Sequence, residues 1–509
     1  MKGLFLNVEH AESEIARIDS LIGTRAHITK VGHTAFGQIV VNHHPVAWPD
    51  GPVIDARSEG IFAAASGWFS FRGRLGDLRA FARAFAGART SDERERVLAE
   101  IDAGAFVILI DTPAGPAIVT DPFGLHPHYF VDTPLSRIAP SPHFLKDGRA
   151  QHAGAAAILR AKNHLFGNLT AYEGIERLEP GSVITRGGVA RYFRYESGLD
   201  DARRLPATLG AALTPFAAKK TILPISGGLD SRLIALCGRF DYGYTFGPRD
   251  TGDRPVARRF ASRFGDYREF SLLELDYPQA HRDAANMIFD GVCEKPFAEV
   301  VSVYRHLHAA WGADCFFFDG YLGDVLQRAT YLTYGGVAGS IAKLLPWITL
   351  ARFDALTILR RRHAKLSPES FRVVADCFER TVGTMPIDAP HKLLLFEILY
   401  GRGARYSING GSVLSGQYWP AVQAFFLPPA FRLLFGQDMA ESLFYRTVRR
   451  AWSEVPRDTA DVPTYSGFKP HWNAHRSRAT MLVVKGLGKA GLYNRAVSYE
   501  SEIPRIRWS

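Results

Sequence analysis

The sequence predicts an α/β protein in two parts: an α+β domain over residues 1–200, then a parallel-sheet α/β domain over residues 201–509 whose C-terminal portion is helical. Three observations carry this expectation. A chain of 509 residues is too long for one ordinary core, so two domains are expected. The N-terminal part reads as short alternating strands and turns. Beyond residue 200, a strand, a glycine-rich turn and a helix follow one another in the order a parallel sheet requires.

In the first domain, Leu75 to Ala86 has helical spacing, whereas Ala105-Phe106-Val107-Ile108-Leu109-Ile110 and Ala117-Ile118-Val119-Thr120 are apolar runs of strand length. The turn Glu179-Pro180-Gly181-Ser182 and the strand Val183-Ile184-Thr185 read as its last regular pieces. The polar stretch from Glu196 to Arg204 places the boundary near residue 200. Next come the strand Thr221-Ile222-Leu223-Pro224-Ile225 and the helix Ser231-Arg232-Leu233-Ile234-Ala235-Leu236. From Ile341 the pattern is mostly helical, and Arg495 to Ser509 is irregular.

Apolar residues make up 47% and charged residues 22%, an ordinary globular balance that argues against general disorder. The net charge of +10 is spread over scattered arginines, so neither nucleic acid nor a membrane surface is expected as partner. The run Arg360-Arg361-Arg362 reads as a solvated helix face. Cys237, Cys293, Cys315 and Cys377 form no C-x-x-C pair, which excludes a structural zinc motif and suits a reducing compartment. The first residues lack a signal-peptide pattern, and the most apolar stretch, Leu344 to Leu359, is broken by Arg352 and Asp354. A cytoplasmic protein is expected.

Chemistry is concentrated in Ser226-Gly227-Gly228-Leu229-Asp230-Ser231, between a buried strand and a helix. In that setting consecutive backbone N–H groups point at one spot beside a helix N-terminus, and such a spot binds anions. Gly227 and Gly228 let phosphate oxygens approach the backbone, Ser226 and Ser231 add hydroxyl donors, and Asp230 can hold magnesium. Glycines alone would only relieve strain in a strand-to-helix turn.

The six-residue string resembles the pyrophosphate loop of N-type ATP pyrophosphatases, and the wider pattern resembles the asparagine synthetase superfamily, with β-lactam synthetase and lasso-peptide cyclases. Thr245-Phe246-Gly247, then Asp253, Ala257-Arg258, Ala261 and Phe264-Gly265, is similar to the family's second strand and helix, bordering the adenine pocket. Phe316-Phe317-Phe318-Asp319-Gly320-Tyr321-Leu322-Gly323-Asp324 resembles the later S/T-G-x-G-x-D loop, whose aspartate binds metal. Three departures stand out there: Asp319 replaces the hydroxyl residue, Gly323 is displaced by one position, and Val325 replaces a glutamate. Asp121-Pro122-Phe123-Gly124-Leu125-His126-Pro127-His128-Tyr129-Phe130 resembles a framework segment of the family's glutaminase domain, and Glu173-Gly174-Ile175 with Leu178 to Ser182 resembles the segment that closes it.

The resemblance implies an N-terminal Ntn-hydrolase-like (class II glutaminase-like) sandwich and a C-terminal ATP pyrophosphatase domain. It implies ATP and Mg²⁺ at Ile225, Ser226, Gly227, Gly228, Asp230, Ser231, Phe246 and Gly320, with metal on Asp230 and Asp324. The implied activity is adenylation of a small-molecule or peptide carboxylate, releasing pyrophosphate, followed by attack of an amine to give an amide and AMP. The family's glutaminase uses a cysteine that leads the mature chain, whereas position 2 here is Lys2 and the first cysteine is Cys237, so glutamine hydrolysis is not expected. His43, His44 and Ser66 read as scattered polar residues. Ser415-Gly416-Gln417-Tyr418-Trp419-Pro420 stands where asparagine synthetases carry E-x-R-x-P-F-L-D, its Tyr-Trp pair being similar to β-lactam synthetases. Tyr465 takes the place of the family's late catalytic lysine; Lys469 either serves from a shifted loop or is a surface lysine. A homodimer or a partner from the same biosynthetic cluster is compatible with the resemblance.

Overall fold

The computed structural model describes residues 1–196, 201–250, 252–333, 350, 353–489 and 499–509. Two antiparallel sheets occupy the first part. One has the strand order Ile175–Arg177, Tyr129–Val131, Arg137–Ala139, Gly3–Leu6, Gly37–Asn42, Ile28–Thr34. The other runs Gly188–Arg191, Ser182–Thr185, Gly115–Thr120, Ile101–Thr112, Ile61–Phe71, Val53–Ala56, with Arg74–Leu75 paired to Ile61–Phe71.

The period of two along these strands decides how they stack. Leu4, Leu6, Ile39 and Val41 from one sheet share a core with Phe62, Ala64, Val107 and Leu109 from the other. Their neighbours Phe5 and Val40 face the opposite way, into a core with Ile15 and Ile18 of the helix Ala11–Ile22. Ala63, Ala65, Ile108 and Ile110 likewise share a core with Phe81 and Phe85 of the helix Leu78–Gly87. The layering is therefore helix, sheet, sheet, helix.

The third sheet is parallel. Its strands are β1 (Lys220–Pro224), β2 (Phe240–Phe246), β3 (Phe264–Phe270), β4 (Cys315–Asp319) and β5 (Ala421–Gln423), in the spatial order β3-β2-β1-β4-β5. The chain proceeds outward from β1 to β3, then returns to the other side of β1 to lay down β4. Order reverses between β1 and β4, and at such a switch point the connections leave a crevice beyond the carboxyl ends of the strands. The helices Gln279–Ile288 and Glu299–Trp311 join β3 to β4 and pack on the first part through Ile15, Ile18 and Phe144.

Several expectations are refined. The first-domain helix begins at Leu78, because Asp77 accepts from Ala80 N at 2.9 Å and caps it, while Leu75 belongs to a short strand. One more strand, Gly188–Arg191, follows Val183-Ile184-Thr185; its exposed Gly-Val-Ala-Arg carries no apolar alternation to announce it. The arginine run is not a solvated face. Arg360 lies 4.8 Å over the Phe371 ring, and Arg362 donates to Tyr331 O and Thr333 O while pairing with buried Glu397 at 3.0 Å. The expected boundary itself, residues 197–200, and much of the stretch 341–352 lie outside the described residues. Among the described residues, no helix is long and apolar enough to cross a membrane.

Candidate functional site

A cavity of about 390 Å³ opens at the switch point, walled by Pro224 and Ile225 after β1, Tyr244 to Phe246 of β2, and Phe317 and Asp319 of β4. The turn 226–231 forms its floor. Ser226 N donates to Ser231 Oγ at 3.0 Å, and Gly228 N donates to Ser226 Oγ at 3.2 Å, so the two hydroxyls hold the turn closed. The helix Asp230–Cys237 then starts with no side-chain cap, leaving its first N–H groups for a partner outside the helix. Tyr465 N donates to Gly227 O at 3.2 Å, and a Cβ at Gly227 would lie 3.1 Å from Tyr465 Cβ, so glycine is what lets this loop seat against the turn.

Two aspartates face each other across the helix start. Asp230 accepts from Gln327 Nε2 at 2.7 Å; burial pushes its carboxyl up to about 7 even though the Arg328 charge opposes the shift. Asp324 accepts from Thr330 Oγ1 at 3.3 Å and lies 3.6 Å from Arg328. Both line the cavity. Among the described residues no three His, Cys, Asp or Glu side chains gather as a metal cluster. Two carboxylates still fit magnesium, which commonly takes one or two from protein and the rest from water and phosphate.

The loop after β4 explains its departures from the motif. Leu322 has φ 61°, the left-handed conformation that favours glycine, and sits where the motif places one. Gly323 is required for another reason: a Cβ there would fall 2.8 Å from Asp230 Cγ. Gly320 is similarly close, with a Cβ 3.2 Å from Ser231 N. Asp319, in the hydroxyl position, is buried and accepts from Ser412 Oγ at 2.6 Å and Tyr321 N at 3.1 Å, while burial pushes its carboxyl up to about 7. Val325 is buried in the apolar core.

Of the residues singled out in sequence, Ile225, Ser226, Gly228, Asp230, Ser231, Phe246, Gly320 and Asp324 line this one cavity, with Gly227 in the same turn. Lys469 does not. Its Nζ is 3.3 Å from Asp461, and it is not among the lining residues. Tyr418 and Trp419 lie apart as well, buried between the two parts, where Tyr418 donates to Ile22 O at 2.8 Å and Trp419 to Gly312 O at 2.8 Å.

Lining residues that sequence reasoning did not assign include Asp253, Glu299, Phe297, Tyr406 and Tyr499. Asp253 accepts from Gly227 N at 2.7 Å. The others come from remote segments without a local pattern. Tyr499 is delivered by the final segment, which is fastened where Glu502 accepts from Ser271 Oγ at 2.7 Å and Leu272 N at 2.9 Å.

A second cavity, about 40 Å³, lies between Met1, Lys2, His43, His44 and His126 of the first part and Ser412, Gln417 and Ala421 of the second. The Met1 amino group is paired with buried Asp19, and Lys2 Nζ donates to Arg25 O at 2.7 Å and Asn42 Oδ1 at 3.2 Å. His43 and His44 are therefore gathered rather than scattered, and Ser66 Oγ is 2.8 Å from His126 Nε2. Burial drives the imidazoles of His44 and His126 well below their ordinary range, so they are neutral. Asp121, in the framework segment, accepts from the backbone of Phe123, Leu125 and His126 and shapes that loop.

No family model matches the chain, and no curated protein matches it. Among solved structures it matches one described as the structure of the allosteric regulatory enzyme of purine biosynthesis, at 13% identity, over 69% of this chain and 83% of that chain, with a TM-score of 0.21. A likeness at that level bears on neither fold nor function.

Proposed function

We propose that this chain is an ATP-dependent carbon–nitrogen ligase, similar to asparagine synthetase and its relatives, that adenylates a carboxylate for attack by an amine. One observation carries the reading: an uncapped helix start, two hydroxyls and two aspartates converge at the switch point of a parallel sheet, in one cavity. Polyphosphate is the ligand class that uses all of these together.

In this reading the turn 226–231 receives the pyrophosphate portion of ATP through backbone N–H groups, Ser226 and Ser231. The strand end at Thr245 and Phe246 borders the adenine. Asp230 and Asp324 would hold magnesium, which supplies Lewis-acid polarisation of the phosphates. The substrate carboxylate oxygen attacks the α-phosphorus, and pyrophosphate leaves with the electrons of the broken P–O bond. An amine then attacks the acyl carbon, AMP leaves, and the amide forms as the amine loses a proton. The cavity lining contains Asp230, Asp253, Glu299, Asp319 and Asp324 but no Lys, Arg or His among the described residues, so a polyphosphate needs divalent cation to enter.

Nitrogen from glutamine is not part of this reading, since the first cysteine is Cys237 and the small cavity beside Met1 and Lys2 has no thiol in its lining among the described residues. An amine on the same molecule, giving a lactam or macrolactam, is preferred to a second substrate or free ammonia. Substrate-dependent exchange of labelled pyrophosphate into ATP, with magnesium present, tests adenylation directly.

A second reading is a homologue that binds nucleotide without forming amides. The pairing of Asp324 with Arg328, and of Lys469 with Asp461, favours it. Binding of Mg-ATP without pyrophosphate exchange across a panel of amino-carboxylates would select it.

A further inference from the structure

The five carboxyl groups lining the cavity are not equivalent. Four have protein partners: Asp253 is bonded to Gly227 N, Asp319 to Ser412, Asp230 to Gln327, and Asp324 to Thr330. Glu299 accepts no hydrogen bond from another residue and enters no ion pair among the described residues. It opens the helix Glu299–Trp311, whose N-terminus accounts for an acidic residue there but not for its placement in a cavity wall. Burial holds its carboxyl above the usual range, against its own backbone N–H and the Arg282 charge; Arg282 itself stacks 4.2 Å over Trp508.

The wall around Glu299 is aromatic. Phe297 and Tyr406 meet edge to face with ring centroids 5.2 Å apart, and Tyr499 stands against Phe246 at 5.1 Å. Gly410 makes room for the Phe297 ring, which a Cβ would approach to 2.1 Å. A carboxylate that accepts no hydrogen bond from another residue among those described, in an aromatic wall whose described lining has no Lys, Arg or His, suits a ligand that is positive at its tip and apolar along its stem. An anionic group is repelled there, and a neutral donor gains a hydrogen bond without the charge attraction.

We propose that Glu299, with Phe297, Tyr406 and Tyr499, is the subsite for a protonated primary amine, so that the substrate is a carboxylate that also carries an ammonium group. This rests on the reading of the cavity as a carboxylate-activating site. Glu299 accepts the ammonium's hydrogen bonds and the rings pack its methylene stem. An ion-paired contact of this kind in a partly dry wall confers at least about a tenfold preference for charged over neutral ligand.

The test titrates the full chain with n-butylammonium and with n-butanol, with and without magnesium and a non-hydrolysable ATP analogue, at constant ionic strength. Wild type should prefer the ammonium by at least about tenfold. Glu299→Gln should lose that preference while still binding the nucleotide analogue in the presence of magnesium. Equal binding of the two probes, binding of neither up to ~50 mM, or a preference that survives Glu299→Gln overturns the subsite. If wild type fails to bind the nucleotide yet shows the Glu299-dependent preference, the ligase reading falls and the amine subsite stands.

Discussion

The two cavities hold similar chemistry to opposite effect. Beside the smaller cavity, of about 40 Å³, the Met1 amino group, Lys2 and Asn42 are each engaged by neighbours: Met1 pairs with Asp19, Asn42 donates to Met1 O and to Asp19, and Lys2 N donates to Gln417. On the parallel sheet, about 390 Å³ is lined by five carboxyl groups with a helix start that no side chain caps. Lys2 and Asp19 in the first case form a close ion-paired network, whereas the carboxyl groups of the second are mostly held by hydrogen bonds to neutral groups, with Arg328 beside Asp324. Mutation separates these cases, because removing a group from a closed network costs stability, whereas removing one from an open site costs binding or rate.

The largest effect is expected at Asp230. Asp230→Asn keeps an acceptor for Gln327 but removes the charge that would meet magnesium, so pyrophosphate exchange should fall by at least about a hundredfold with the melting temperature nearly unchanged. Retained exchange breaks the metal assignment. Asp19→Ala should do the reverse. It strands the Lys2 ammonium and the Met1 amino group in a buried setting, costing about 3–5 kcal/mol in denaturant unfolding, while any pyrophosphate exchange per folded molecule is retained.

A smaller effect is expected at the junction of the two parts, where Asp290 meets Lys146 Nζ at 2.6 Å, Tyr172 OH at 2.6 Å and His143 Nδ1 at 3.3 Å. Burial alone would raise this carboxyl, but those hydrogen bonds prevail and hold it at about 2. A depressed acid pKa stabilises the fold above the ordinary aspartate value of 3.8 and loses that contribution as pH falls toward 2. Unfolding followed from pH ~5 to ~2 should therefore show a loss on the order of 1 kcal/mol that Asp290→Asn lacks. An identical acid limb in both proteins removes the assignment. The smallest change is expected for Lys469→Met. Its ammonium faces Asp461 on the surface, so exchange should stay within about twofold of wild type. A large drop in turnover with unchanged ATP affinity would instead bring this lysine into the site from a shifted loop.

The cavity floor was legible because it is local. Six consecutive residues between a strand and a helix impose their own geometry, so Ser226, Gly228, Asp230 and Ser231 could be read together. The same holds for strand alternation, which set Leu4 and Leu6 against Phe62 and Ala64. The far wall was not legible. Glu299, Tyr406 and Tyr499 meet only through tertiary packing, and an acidic residue opening a helix reads as a cap, while a tyrosine in an irregular segment reads as nothing in particular. Gly323 shows the intermediate case: the shift from the motif is visible in sequence, but its reason, the approach to Asp230 Cγ, is a distance in space.

The fastening of the final segment through Glu502 has a consequence for the order in which the protein is made. The strands, the turn 226–231 and both aspartates are translated before Tyr499, and can dock as a sheet while the ring that closes one wall is still in the ribosome. The turn 226–231, with Phe297 and Tyr406, is thus made earlier than the Tyr499 side of the same cavity. A chain interrupted after β5 would carry the turn 226–231, Asp230 and Asp324 but lack the Tyr499 ring that lines the same cavity.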